Sequence, residues 1–251
     1  MSNEGKTRSA ILLAAGVGRR LGASHEDPKV LLDFGGRTLL ARHMAALVAN
    51  GVERLSITVG HLQDAVRAAA ANAPPGLTVS FVENPDYRQG SLVSLRVQGD
   101  LLRSGEPVLL MDGDVLYDAR MIARLNSSDF ENTLLVDRVL DPGDEPVKIC
   151  FRGETIVDFR KKPEHAHDWH GESVGFFRFS PEMAGRLADR CDDYVAAGRT
   201  NVEYEEAIRD LMLAEPARFG AADVTDLPWT EIDFEEDVVR ARTEILPQLE
   251  S

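Results

Sequence analysis

Along the first half of the chain, short apolar runs alternate with segments in which apolar residues recur every three or four positions. Ser9–Ala14, Arg54–Val59 and residues 77–82 and 107–111 read as buried strands, because each run is short and bounded by turn or charged residues. Between them, residues 38–50, 62–71 and 92–102 carry helical spacing, with Leu39, Leu40, His43, Met44 and Leu47 on related faces of the first. A strand–helix unit repeated three times before residue 112 predicts an α/β fold with a largely parallel sheet. The pattern then loosens. Residues 147–151 and 155–159 flank Arg152-Gly153-Glu154 as a β-hairpin, residues 173–179 form another strand, and Pro181–Ala196, 202–213 and 234–245 read as helices. One domain over residues 1–251, with an inserted hairpin region at about 140–180, is the simplest architecture.

Composition narrows the function. A chain of 251 residues, 43% hydrophobic, buries a sizeable core. No apolar run approaches the roughly 18 residues of a membrane span, and the polar stretch 1–8 lacks the apolar centre of a signal peptide. Cys150 and Cys191 are too few for a disulfide framework, so a reducing, cytoplasmic setting is expected. The formal charge of −14, from 42 acidic and 28 basic residues, argues against sequence-independent nucleic-acid binding. Where the cations cluster therefore carries more information than their number.

They cluster at a glycine loop. Leu13, Ala14, Ala15, Gly16, Val17, Gly18, Arg19 and Arg20 follow the first strand, where open α/β sheets place ligand loops, and Pro28-Lys29 comes soon after. Gly16 and Gly18 allow backbone amides to approach phosphate oxygens closely. The dinucleotide fingerprint fails, because its third glycine comes one residue late, and the P-loop fails for want of Gly-Lys-Ser/Thr. Arg19, Arg20 and Lys29 beside such a loop suit a triphosphate, whose charge must be neutralised before a leaving group departs.

Leu-Ala-Ala-Gly-x-Gly-x-Arg-Leu-Gly, then Pro-Lys and Leu-Leu-x-Phe-Gly-Gly-Arg-Thr-Leu-Leu, resembles the signature of nucleotidyltransferases of the sugar-phosphate and alcohol-phosphate type. The resemblance implies a single Rossmann-like α/β domain with a mixed, mainly parallel sheet. It implies that the loop wraps the triphosphate and that Arg20 and Lys29 contact phosphates. Asp112 and Asp114 lie two apart past a buried strand, so an extended backbone points them the same way. Asp233 reads from pattern alone as a helix cap, ahead of Glu235, Glu236 and Asp237 facing the helix dipole. The resemblance instead makes Asp114 and Asp233 the Mg2+ ligands, with Asp112 beside them or as an alternative ligand.

The same resemblance places Gln89, Gly90, Ser91 and Ser94 at the nucleobase, although Ser91 also reads as a helix cap. Within the family, this loop and the Trp-x-Glu-Ile-Asp-Phe-x-Glu-Asp ending look closest to cytidylyltransferases for phosphocholine, inositol phosphate or aminoethylphosphonate. CTP and a small phosphorylated acceptor are thus the expected partners; residue chemistry alone does not choose cytosine over uracil. Lys148, Lys161 and Lys162 are candidate contacts for the acceptor phosphate or the α-phosphate. Glu172 and Glu203 suit a cationic acceptor head, and Trp169, Phe176 and Tyr204 could offer it aromatic faces. No nucleophile–base pair is evident, which fits an acceptor that is already anionic and needs alignment more than deprotonation. The competing readings are a sugar-1-phosphate or inositol-1-phosphate nucleotidyltransferase and a non-catalytic nucleotide-binding regulatory module. The acceptor's identity and any homo-oligomer stay open.

Overall fold

The computed structural model describes residues 7–21, 27–140 and 146–249. Gly22 of the glycine motif and the side chain of Arg19 lie outside the described part. In chain order the strands are β1 (Ser9–Ala14), β2 (Asp33–Phe34), β3 (Arg37–Thr38), β4 (Arg54–Val59), β5 (Thr78–Glu83), β6 (Val108–Asp112) and β7 (Val115–Tyr117). They continue with β8 (Asn132–Asp137), β9 (Lys148–Arg152), β10 (Thr155–Arg160), β11 (Trp169–Phe179), β12 (Phe219–Asp223) and β13 (Trp229–Glu231). The α-helices are α1 (Leu39–Ala49), α2 (Gln63–Ala70), α3 (Ser91–Arg96), α4 (Gly99–Leu102), α5 (Arg120–Ser127), α6 (Pro181–Ala196), α7 (Glu205–Ala214), α8 (Glu235–Arg240) and α9 (Leu246–Leu249).

The central sheet is mixed. Strands β6, β1, β4 and β5 run parallel in that order, as repeated strand–helix crossovers require. Antiparallel β11 pairs β9 of the β9–β10 hairpin through residues 169–172 and β6 through residues 176–179 along one edge, with β8 along the other, so the hairpin extends the sheet. Strand β11 manages this because it slips register between Ser173 and Phe177, where it also pairs with β8.

Alternate side chains of the parallel strands feed two cores. Leu12, Ile57 and Met111 meet Leu40, Met44, Leu47, Val66, Met121 and Ile122 from α1, α2 and α5 on one face. Ile11, Leu110 and Phe177 meet Leu92, Leu95, Met183, Leu187, Ile208 and Met212 from α3, α6 and α7 on the other. Thr38 caps α1 by accepting from the Ala41 amide, and Ser180 caps α6 ahead of Pro181 at its first position.

The helix expected over 92–102 is two helices, because Gln98 leaves helical geometry and turns its amide into the interior toward Thr58 and Ser56. Strands β2, β3, β7, β8, β12 and β13 and helix α5 add to the expected elements. The closing helix passes from α8 into a π-helical turn, Ala241–Ile245. No helix among the described residues is long and apolar enough to cross a membrane.

Candidate active site

The C-terminal ends of β1, β4 and β6 open one cleft where β1 has neighbours on both sides, the place an open α/β sheet offers a ligand. The ends are tied by backbone. Gly113 N–H donates to Leu13 O (3.0 Å), and His61 N–H donates to Ala15 O (3.1 Å). Beneath them the His43 imidazole lies 3.2 Å from Gly113 O, and burial pushes its pKa down to about 4. The neutral ring therefore donates through Nε2 at neutral pH. Gly18 takes a left-handed φ of 65°, and the Lys29 side chain runs directly beside it.

Lys29 is the centre of the charge arrangement. Its Nζ donates to Asp114 Oδ2 at 2.9 Å and to Asp233 Oδ1 at 2.6 Å, while Arg20 Nη1 donates to Asp233 Oδ2 at 2.7 Å. Burial opposes the Lys29 charge, but the two carboxylates outweigh it and raise its pKa above the usual lysine value. Burial likewise pushes against Asp233, and Lys29 and Arg20 reverse it, holding that carboxyl below the usual range.

Residues so distant in sequence meet because β13 pairs antiparallel with β7 and Ile232 N–H donates to Asp114 O (2.9 Å). That ladder also delivers Glu231. One carboxylate oxygen each from Asp114, Glu231 and Asp233 lies within 4.8 Å of the others, a hard-oxygen set that fits a divalent cation such as Mg2+. Desolvation and the facing carboxylates of Asp114, Asp233 and Asp112 raise the Glu231 pKa. Asp233 is not the cap of α8. Phe234 holds that position, and Asp237 Oδ2 accepts from the Asp233 and Phe234 amides at 2.9 and 2.8 Å.

Asp112 and Asp114 line the same cleft but take different partners, with Gly113 and Asp114 forming a turn between β6 and β7. Asp112 is directed inward, where Tyr204 OH donates to its Oδ2 at 2.7 Å. Burial, then Glu205 and Asp114, raise its pKa. Tyr204 is accordingly a buried support for Asp112, with its ring edge against Phe177, in place of an open aromatic face. Phe176 likewise lies in the core.

One part of the cleft, about 340 Å³, lies between the loop Ala15, Gly16 and Val17 and the segment Tyr87, Arg88 and Gln89, with Ser91, Ser94, Asp112 and Asp114 along its floor. Gly90, not Ser91, is the N-cap of α3, and Ser91 Oγ accepts from Tyr204 N–H at 3.0 Å. Gly90 N–H donates to Thr200 O (3.0 Å), tying the expected base segment to the loop before α7.

The adjoining part is lined by Arg20, Lys161, Ser173, Gly175, Glu203, Glu205, Glu231 and Asp233. Lys161 pairs with Glu203 at 3.2 Å. Burial and the neighbouring Glu203 push the Glu205 pKa up to about 8. Lys162 lines an outer hollow with Arg160 and Glu206.

Besides Phe176 and Lys162, three expected acceptor contacts line neither part. Lys148 Nζ donates to Pro146 O (3.3 Å) and Lys161 O (3.1 Å), holding the approach to the hairpin. Glu172 is buried in the ladder of β11 with β8 and β9, one residue out of phase with cleft-lining Ser173. Trp169 stacks on Phe151, with ring centroids 4.0 Å apart, at the far end of β11. Glu231, Glu205, Tyr87 and Arg88 are among the lining residues that the sequence reading leaves out. Glu231 carries a legible signal, since it lies two residues from Asp233 in an extended segment.

Residues 10–165 match the MobA-like NTP transferase domain family. The chain is 30% identical over 242 residues to CMP-5'-(3-aminopropyl)phosphonate synthase of Streptomyces rubellomurinus, covering 89% of this chain and 36% of that protein. It is 34% identical over 170 residues to 2-aminoethylphosphonate cytidylyltransferase of Lancefieldella rimae, covering 67% and 57%. The chain thus spans between about a third and somewhat over half of these curated relatives. The inositol-1-phosphate CTP transferase from T. maritima shares the fold, with a TM-score of 0.79, 21% identity and 98% of each chain covered.

Proposed function

This chain belongs to the MobA-like NTP transferase family, and we propose that it is a cytidylyltransferase moving CMP from CTP to a small phosphorylated alcohol or phosphonate with a cationic head, releasing pyrophosphate. The observation that carries the reading is the joint position of Lys29 and Arg20 against Asp114, Glu231 and Asp233, at the junction of the two cleft parts. A module that only bound nucleotide would have little use for a carboxylate triad there.

In this scheme the base lies between the glycine loop and the segment Tyr87–Gln89, and the triphosphate runs over Gly16 and Gly18 toward Lys29 and Arg20. A divalent cation, Mg2+ in our reading, held by Asp114, Asp233 and Glu231 neutralises phosphate charge when bound. Lys29 and Arg20 then turn from the carboxylates to the phosphates, where cationic donors stabilise the charge that develops as pyrophosphate leaves. The acceptor enters the adjoining part, its anionic oxygen aligned by Lys161 for in-line attack on the α-phosphorus. Glu203 offers a carboxylate to an ammonium head, and Glu205, whose raised pKa an adjacent cation brings down, ionises beside it, which supports an aminoalkylphosphonate or phosphocholine over a neutral polyol.

The test is pyrophosphate release with Mg2+, crossing the four nucleoside triphosphates with 2-aminoethylphosphonate, phosphocholine, inositol 1-phosphate and glucose 1-phosphate. Turnover with CTP and an amine-bearing acceptor is expected. Turnover with UTP or dTTP and glucose 1-phosphate would overturn the base and acceptor assignments together, and turnover with CTP and inositol 1-phosphate the acceptor alone.

A further inference from the structure

Behind the base side of the cleft runs a chain of buried side chains whose hydrogen-bond directions are set at both ends. Asp86 N–H donates to Asn84 Oδ1 at 2.9 Å. A backbone amide can only donate, so the Asn84 oxygen must face it and the Asn84 nitrogen must face the other way. That nitrogen, Nδ2, donates to Ser94 Oγ at 2.9 Å. Asn84 is 1% exposed, and inverting its amide would set a nitrogen donor against Asp86 N–H out of reach of solvent, so the orientation is fixed. On the far side, Ser56 Oγ donates to Gln98 Oε1 (2.8 Å), Gln98 Nε2 to Thr58 Oγ1 (2.8 Å), and Thr58 Oγ1 to Ser94 O (3.1 Å). These bonds fix the position of Ser94 on α3.

Ser94 lines the cleft, and among the described residues its hydroxyl proton has no acceptor. One of its two lone pairs is already taken by Asn84. A ligand acceptor in the cleft satisfies that proton. A ligand N–H would force the proton into a direction without a partner, leaving a nearly buried donor unsatisfied. Cytosine presents an acceptor at ring nitrogen N3, whereas uracil carries N–H there.

We propose that Asn84 is a positioning residue which, through Ser94, makes the base site select an acceptor at ring nitrogen N3 and so prefer cytosine to uracil. This rests on the cytidylyltransferase reading above and adds the physical source of its base preference.

The experiment is equilibrium binding of CTP and UTP to the full chain in Mg2+, for wild type, Asn84→Asp, Ser94→Ala, the double variant and Ser94→Thr. In Asn84→Asp, one carboxylate oxygen takes Asp86 N–H and the other accepts the Ser94 proton, turning a lone pair to the cleft. The preference for CTP over UTP should fall at least about tenfold, and Ser94→Ala should lower it comparably. Acting through Ser94, Asn84→Asp should change the ratio no further in the Ser94→Ala background. Ser94→Thr keeps the hydroxyl and should restore the ratio.

A purely structural role for Asn84 would weaken both nucleotides alike and persist without the Ser94 hydroxyl, which overturns the inference. An unchanged ratio in Ser94→Ala overturns it even where Asn84→Asp does not fold. A wild type that binds UTP as well as CTP overturns the cytidylyltransferase reading itself. A wild type that prefers CTP with an unmoved ratio in the variants overturns the roles of Asn84 and Ser94 and leaves the cytidylyltransferase reading standing.

Discussion

Replacing Lys29 by Met keeps the apolar stem of the side chain and removes a cation held between Asp114 at 2.9 Å and Asp233 at 2.6 Å. At an effective dielectric of about 20, each such attraction is about 4 kcal/mol at 4 Å. Much of that offsets the desolvation of the three charges, and removing one partner of a buried pair costs about 3–5 kcal/mol in practice. The side chains keep 15–24% exposure, so the lower end applies. A loss near 3 kcal/mol lowers the unfolding midpoint by roughly 6–12 °C in a chain of this size.

The loss should depend on the metal. Without the ammonium, Asp114, Glu231 and Asp233 face one another, and a divalent cation no longer competes with Lys29 for two of them. Thermal unfolding of the Lys29→Met variant in EDTA should therefore fall well below wild type, and Mg2+ should raise it more than it raises wild type. A cation at about a hundred times its dissociation constant restores about 2.7 kcal/mol. Calorimetry should show tighter Mg2+ binding to the variant while turnover collapses for want of the phosphate contact. Equal midpoints in EDTA, or equal Mg2+ shifts in both proteins, would refute the competition.

Three further outcomes follow from neighbouring contacts. Tyr204→Phe leaves Asp112 without its donor at 2.7 Å, so the variant should lose about 1–3 kcal/mol in denaturant unfolding. Gly175 has φ 78°, and a Cβ there would lie 2.3 Å from Asp112 Oδ2, so Gly175→Ala should cost at least about 1–3 kcal/mol and depress kcat by displacing that carboxyl. His43 is held near pKa 4, below its ordinary 6.5, so the unfolded state takes up a proton first as pH falls. Its contribution is fully present above about 6.5 and declines to pH 4 by roughly 3 kcal/mol, so His43→Leu should flatten the stability profile in that window.

Where local pattern decides structure, sequence and structure agree closely. Strands β1 and β4 have the expected bounds, and α1 starts after Thr38, because apolar spacing and an N-cap are local signals. Strand β12 is Phe219 followed by small residues with no apolar alternation, placed by its pairing with β8 and by Phe219 in the core, so periodicity does not show it. At the site, Lys29, Asp114 and Asp233 were legible as a set through a family resemblance. What brings them together is a three-residue ladder between β7 and β13, too short to read from composition.

Errors at the site have a common cause in strand geometry. Trp169 and Glu172 lie in a segment next to cleft residues, yet one step along a strand reverses the face and a few steps leave the cleft altogether. Glu231 was passed over for the opposite reason. The sequence reading takes only Asp233 from the Glu-Ile-Asp motif, whereas extended backbone through 231–233 puts Glu231 on the side of Asp233. The polarity of Ser94 is further from the sequence still. Its proton is directed by an amide two residues past Asn84, through a contact between the end of β5 and the interior of α3 that exists only in the folded chain. Base choice, on this reasoning, belongs to residues that support the cleft from behind, so lining residues alone will misjudge it in related chains unless the position equivalent to Asn84 is read with them.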